Sequence, residues 1–391
     1  MRHFSTWARY AWLAGMVGMV GILLTGCSEP DVNRERDRLA DGDGPITFGV
    51  AWPLTHPKGT LLQGAQFAVD EVNAAGGVLG RPLQLEVRDD QRSVDQGMII
   101  AQEFAGNPNL VAAIAHLDSF VAIPASSVYE FNQLVMLSPG AVSLPLTRQG
   151  FEHVFRLLPN NTVGGRTLAR YAADAGYRRV LVYYINNTFG RDLSNVFEET
   201  ADGLPFTIVD RRAYDAVGSN HLTVLESWRD LLDFDAIFLA GSLPDGAQVL
   251  RLIRELDIAV PVFGGVGLDS PELIMLGGAD AEETVVPTVF HPDIPAQHIS
   301  DFTARFLAAH GTLPDPSVAG GYDAVKLLVH AIETAGSARP AAIAEALRTV
   351  QGWEGLTGTF NGTPSGELRE DGMVLTEVRD GAFQYLRRVG Q

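Results

Sequence analysis

The chain has 391 residues, 46% of them hydrophobic, 8% aromatic and 19% charged, which is enough apolar material for a substantial core in one large or two medium domains. Its formal net charge of −18 would repel a phosphate backbone, so nucleic acid is excluded as a partner. The one cysteine has no second thiol in the chain to pair with.

That cysteine lies at the end of an apolar run. Arg2, His3 and Arg9 precede Ala11–Thr25, a stretch shorter than the roughly 20 residues a membrane span needs. An uncleaved anchor helix and a secretory signal peptide over residues 1–26 both fit this pattern. Leu24-Thr25-Gly26-Cys27 resembles a bacterial lipobox and favours the second. The resemblance implies that Cys27 is lipidated, begins the mature chain and ties it to a lipid bilayer. By the same kind of resemblance, to enteric lipoproteins, Ser28 favours the outer membrane. Residues 27–44 are charged and carry no aromatic side chain, which predicts a disordered tether with a reach of roughly 20–25 Å. The folded part is expected from Pro45 onward.

From there, short apolar runs alternate with helical patterns. Strands are predicted at 46–54, 83–90, 110–117 and 134–141. The helices between them include one striped by Leu61, Ala65, Ala68 and Val72, and one capped by Ser93. After Arg156 the pattern restarts. Helices are predicted at about 163–175, 191–201, 222–232 and 249–256, alternating with strands at 179–185, 206–214, 236–240 and 261–265. Continuously apolar strands joined by helices imply parallel sheets covered on both faces. Two such series predict an α/β protein of two doubly wound, Rossmann-like lobes. The remaining helical stretch, about 296–350, and short strands near 357–360 and 373–386 must complete those lobes.

Catalytic and cofactor signatures do not appear. There is no G-x-x-x-x-G-K-[ST] and no G-x-S-x-G, and the near match to G-x-G-x-x-G starting at Gly265 ends in Ser270 and sits late in the fold. The histidines are scattered without ligand spacing; His291 and His298 are separated by Pro292 and Pro295. No metal, cofactor or enzymatic activity is expected.

The order of several longer stretches is more informative. ITFGVAWPLTHP, GAQFAVDEVNAAGGVLGRPLQLEVRDDQ, LVMLSPGA, FEHVFRLLP, NNTFGRDL, AIFLAGSLPDGAQVLRLIRELDIAVPVFGG and GGYDAVKLLVHAIETAG follow one another across nearly all of residues 45–391. Together they resemble the leucine/isoleucine/valine-binding family of periplasmic binding proteins. The resemblance implies a clamshell whose lobes are joined by three crossovers, with residues 45–157 and 287–354 in lobe I and 158–286 and 355–391 in lobe II. It also implies a small-molecule ligand held in the cleft and delivered by hinge closure to the permease subunits of an ABC importer, on the periplasmic or cell-surface face of a bacterial membrane. A sensor using the same clamshell without transport is the alternative reading.

Site residues are implied by the same resemblance, position by position. Ser119, after the third strand, matches a serine that holds a ligand carboxylate, although it also reads as an ordinary helix cap. Gly140-Ala141-Val142 stands where the family has Ser-Ala-Thr, which keeps the Ala141 N–H and loses a hydroxyl. Phe189 replaces a tyrosine, and Ser242 or Leu243 replaces a second. Val266 stands where amino-acid binders place the acid that pairs with the ligand ammonium; Asp269, three residues on, serves only if the loop is displaced. The loop Thr55-His56-Pro57-Lys58 is shorter than in the family. Trp52 replaces a small residue and either stacks on a ligand or packs in the wall. These departures predict a ligand less polar than an ordinary α-amino acid, such as an amide or aromatic carboxylate.

Overall fold

The computed structural model describes residues 31–217, 220–369 and 372–388, so the signal segment, Cys27 and Ser28 lie outside the described residues. The first lobe begins with α1 (Val32–Ala40), β1 (Ile46–Ala51), α2 (Leu61–Ala74), β2 (Leu83–Arg88), α3 (Val94–Gly106), β3 (Leu110–Ala115), α4 (Ser119–Phe131), β4 (Val135–Ser138) and β5 (Val154–Arg156). Its five strands run parallel in the order β2-β1-β3-β4-β5.

The second lobe follows with α5 (Asn161–Asp174), β6 (Arg179–Ile185), α6 (Thr188–Ala201), β7 (Thr207–Tyr214), α7 (His221–Leu231), β8 (Ala236–Ala240), α8 (Asp245–Glu255), β9 (Val262–Gly264), α9 (Glu272–Gly277) and β10 (Val285–Thr288). The chain then returns to the first lobe as α10 (Gln297–His310), α11 (Pro316–Ala335), α12 (Pro340–Thr349) and the small pair β11 (Trp353–Glu354) and β12 (Thr359–Phe360). It ends in the second sheet as the hairpin β13 (Val374–Arg379) and β14 (Ala382–Arg388). That sheet has the order β14-β13-β10-β9-β8-β6-β7, parallel apart from the two hairpin strands. The result is two doubly wound lobes crossed three times.

Local chemistry explains the elements. The fully buried strands β3 (LVAAIA) and β8 (AIFLA) carry apolar side chains on both faces because helices cover both. Several helices start on a side-chain cap: Ser93 Oγ accepts from Gln96 N at 3.3 Å, Asn187 from Gly190 N at 3.0 Å, and Asp315 from Val318 N at 2.8 Å. Helices α2 and α11 touch through glycines, since a Cβ on Gly64 would stand 1.9 Å from Val318 O and one on Gly321 2.1 Å from Leu61 O. Among the described residues, no helix is long and apolar enough to cross a membrane.

Three expectations need correction. Residues 31–44 are not a disordered tether: α1 docks on the first lobe, with Ala40 in the core and Arg36 buried. Arg36 Nη2 donates to Ala105 O at 2.6 Å and Nη1 to Asn132 O at 3.1 Å, while Arg81 caps Ala40 O at 2.5 Å and Arg339 pairs with Asp41. Composition hid this because polar contacts to backbone carbonyls, rather than an apolar stripe, hold the helix. The second passage between lobes falls after Thr288, a strand residue of the second sheet, with Phe290 already in the first core. The third falls beyond 354: Leu356, Phe360 and Leu368 belong to the first core, whereas Met373 lies near Gly164 on α5. Strands β5, β10 and β11, of two to four residues, were too short to show as runs.

Candidate functional site

The two sheets face each other across a cleft, and each cleft segment follows the C-terminal end of a parallel strand. From lobe I come His56 and Lys58 after β1, Arg92 after β2, Leu117, Asp118 and Ser119 after β3, and Gly140 and Val142 after β4. From lobe II come Phe189 after β6, Ser242 and Leu243 after β8, and Val266 and Gly267 after β9. Doubly wound sheets bind ligands at this edge, because loops and helix N-termini converge there.

Two cations reach across the cleft. Lys58 Nζ donates to Val266 O at 2.8 Å, and Arg92 Nη1 to Leu243 O at 3.2 Å. Arg92 also clasps Asp118 through two bonds, 2.8 and 3.1 Å long. Its backbone is held in a strained turn, with Gln91 at φ 52° and Arg92 at φ 57°, and Asp90 Oδ1 accepts from Arg92 N at 3.1 Å. The second Asp90 oxygen lies 2.8 Å from Nδ1 of the buried His116, so the strand end beneath the site is tied to the same turn.

Lys58 rides on a short turn braced from below by Trp52, whose Nε1 donates to Lys58 O at 2.8 Å. The same turn presents His56, whose Nδ1 accepts from Lys58 N at 3.1 Å. Burial, together with the nearby Arg92 and Lys58 charges, pulls His56 down to about 4, so its ring is neutral near pH 7. Burial also lowers Lys58, against the pull of Asp269, Asp118 and Asp315. Asp269 lines a second cavity beside the first, shared with Trp52, Lys58, Gly140 and Val266. Burial pushes it up to about 6, and the Lys58 charge resists the rise.

The structure brings together Ser119, Gly140, Val142, Phe189, Ser242 and Val266 around one cavity and places Trp52 and Asp269 at its neighbour. Ser119 is the first residue of α4, the cap position being Asp118, and its Oγ accepts from Ser143 N at 3.2 Å. Trp52 is wall: it is 1% exposed and pressed against Gly140. Ala141 does not reach the cavity. It sits in an apolar cluster, its N–H donates to Ser138 Oγ at 3.1 Å, and its carbonyl accepts from buried Arg156 at 3.1 Å. Arg156 also donates to Ser143 O at 2.8 Å and pairs with Glu367 at 3.2 Å, which sets the shape of the loop after β4.

The cavity residues to which sequence reasoning gave no role are His56, Lys58, Arg92, Leu117, Asp118 and Gly267. One signal was available: Lys58 is one of only two lysines in the chain. Among the described residues, no cluster of three or more His, Cys, Asp or Glu side chains is placed to hold a metal ion.

Known proteins give the same picture. A family model described as periplasmic binding protein matches residues 45–382. The Leu/Ile/Val-binding protein BraC3 of Rhizobium johnstonii is 30% identical over 316 residues, 79% of this chain and 84% of its own length. An ABC transporter substrate-binding protein of Desulfitobacterium hafniense, solved in complex with Leu, is 36% identical with a TM-score of 0.78, over 88% of this chain and 100% of that one. A leucine binding protein from Thermotoga maritima is 25% identical with a TM-score of 0.82, over 88% and 98%.

Proposed function

This chain belongs to the periplasmic binding protein family, and on that premise we propose that it captures a small organic carboxylate with an apolar body, by closure of its two lobes, and delivers it to the permease of an ABC importer. Family members are binding proteins rather than enzymes, and their place is extracytoplasmic. The observation that carries the reading is the cavity itself. It lies at the C-terminal ends of both parallel sheets, and Lys58 and Arg92 of one lobe bond to carbonyls of the other across it. Such contacts exist only when the lobes are together, so a ligand bound between them shifts the population toward that state. The solved Desulfitobacterium hafniense relative that holds Leu supports a carboxylate with an aliphatic body. In this reading Cys27 carries the lipid that keeps the receptor at the membrane.

The test is a thermal-shift screen of the purified protein against amino acids, amides, urea, and aliphatic and aromatic carboxylates. A ligand at 100 times its Kd should add about 2.7 kcal/mol of stability. A carboxylate hit, together with uptake of that compound in cells and its loss on deletion of the gene, is the expected result. Binding without any effect on uptake would refute the importer. Metabolic labelling with a fatty acid should mark the wild-type chain and fail on Cys27→Ala.

A further inference from the structure

The polar groups around the cavity divide unevenly between acceptors and donors. The acceptors that face Lys58 and Arg92 across the cleft are already engaged. Asp118 holds Arg92 through two bonds, Val266 O takes Lys58 Nζ, and Leu243 O takes Arg92 Nη1. Asp269 is buried with the Lys58 charge attracting it.

The donors are not all engaged. Since His56 Nδ1 accepts the Lys58 N–H, the proton of the neutral ring belongs on Nε2, and that atom is buried without a well-formed hydrogen bond, the nearby Leu243 O already accepting from Arg92. Ser119 Oγ is used as an acceptor by Ser143 N, which leaves its O–H to donate. Buried donors call for an acceptor. Apart from the Ser242 hydroxyl, the remaining side chains of the wall are apolar: Leu117, Val142, Phe189, Leu243 and Val266.

We propose that the cavity takes a monocarboxylate with an apolar body and no amine, and that Lys58 is the residue that excludes α-amino acids. This rests on the receptor reading above. A ligand ammonium would enter between two fixed cations and find its two natural partners, the Val266 carbonyl and the Asp269 carboxylate, already facing Lys58. It would be buried beside two like charges that already draw on the nearby carboxylates, Asp118 and Asp269, an arrangement proteins avoid. A carboxylate meets the opposite situation, with His56, Ser119 and the two cations all offering hydrogen atoms.

The experiment is calorimetric titration of the purified protein with compounds that differ only in the amine: leucine against 4-methylpentanoate, and phenylalanine against 3-phenylpropanoate. In the wild type the amine-free acid should bind at least about 100-fold tighter, which corresponds to about 2.7 kcal/mol. Lys58→Met should weaken the acid and strengthen the amino acid, shrinking that ratio about tenfold or more. Ser119→Ala should weaken both compounds and leave the ratio unchanged. The ratio does not depend on the folded fraction, so a partly unfolded variant still reports. Leucine binding as tightly as 4-methylpentanoate, or a ratio unmoved by Lys58→Met, overturns the proposal. If neither acid binds while the broad screen finds another ligand, the substrate class is wrong and the receptor reading stands. If nothing in that screen binds and deletion alters no uptake, the receptor reading falls as well.

Discussion

Adding one methyl group at Gly140 should disturb both the stability and the site. Its φ is not in the left-handed region, so the need for glycine there is one of space. A Cβ would stand 2.6 Å from Trp52 Cη2, 2.7 Å from Leu117 Cα and 2.8 Å from Leu117 O. Two of these are main-chain atoms at the end of β3, and the third belongs to an indole that is 1% exposed and bonded to Lys58 O. None can yield without moving a cavity wall. Overpacking of this kind costs about 1–3 kcal/mol, which in a chain of this size lowers Tm by about 1–4 °C. A carboxylate of the proposed kind should bind more weakly as well, because Leu117 and the Lys58 turn both line the cavity. Gly320→Ala is the control, since a Cβ there meets nothing within 4 Å of it and its place in helix α11 should favour alanine by about 0.5–1 kcal/mol. Melting curves and titrations of the two variants are compared. Gly140→Ala with wild-type stability and affinity would show that the strand ends are more yielding than argued. Trp52→Phe in the same background removes one of the three clashes and should recover part of the loss.

Three further outcomes follow from the same contacts. Arg36→Met strands the Ala105 and Asn132 carbonyls; it should cost about 1.5–3 kcal/mol and expose residues 31–44 to limited proteolysis, whereas a flexible tether would be cut equally in both proteins. Arg156→Met leaves the Glu367 carboxylate buried without its partner and should cost about 3–5 kcal/mol in urea unfolding, while a change under a third of that would mean the buried pair does not shape the loop after β4. The third concerns pH. Asp269 titrates at about 6 in the folded protein against an ordinary value of 3.8. Between those values the native state binds more protons than the unfolded chain, so stability falls as pH rises from about 4 to 6. Lys58 and Asp315 face the same carboxyl. Asp269→Asn should remove that part of the slope, and parallel pH–stability curves for mutant and wild type would refute the assignment.

The alternation of apolar strands with helices, the two doubly wound series and the lobe each series builds were all legible along the chain. Burial on both faces forces continuous apolar runs such as LVAAIA and AIFLA, and helix caps such as Ser93, Asn187 and Asp315 act within three residues of their partners. Positions reached from the ordered motifs, Ser119, Gly140, Phe189 and Val266 among them, do meet at one cavity, since strand C-termini are set by topology. The polar character of that cavity was not legible. Lys58 meets Val266 across 208 residues of sequence, and Arg92 meets Leu243 across 151. No periodicity couples such pairs. Whether Ala141 turned its N–H to the ligand or to Ser138, whether Trp52 stacked or braced, and whether residues 31–44 hung loose or docked through Arg36 were likewise matters of contacts between distant segments. Local pattern dictates which face of an element is buried. Only assembly of the two lobes decides which charge stands opposite which, because electrostatic partners are chosen by distance in space.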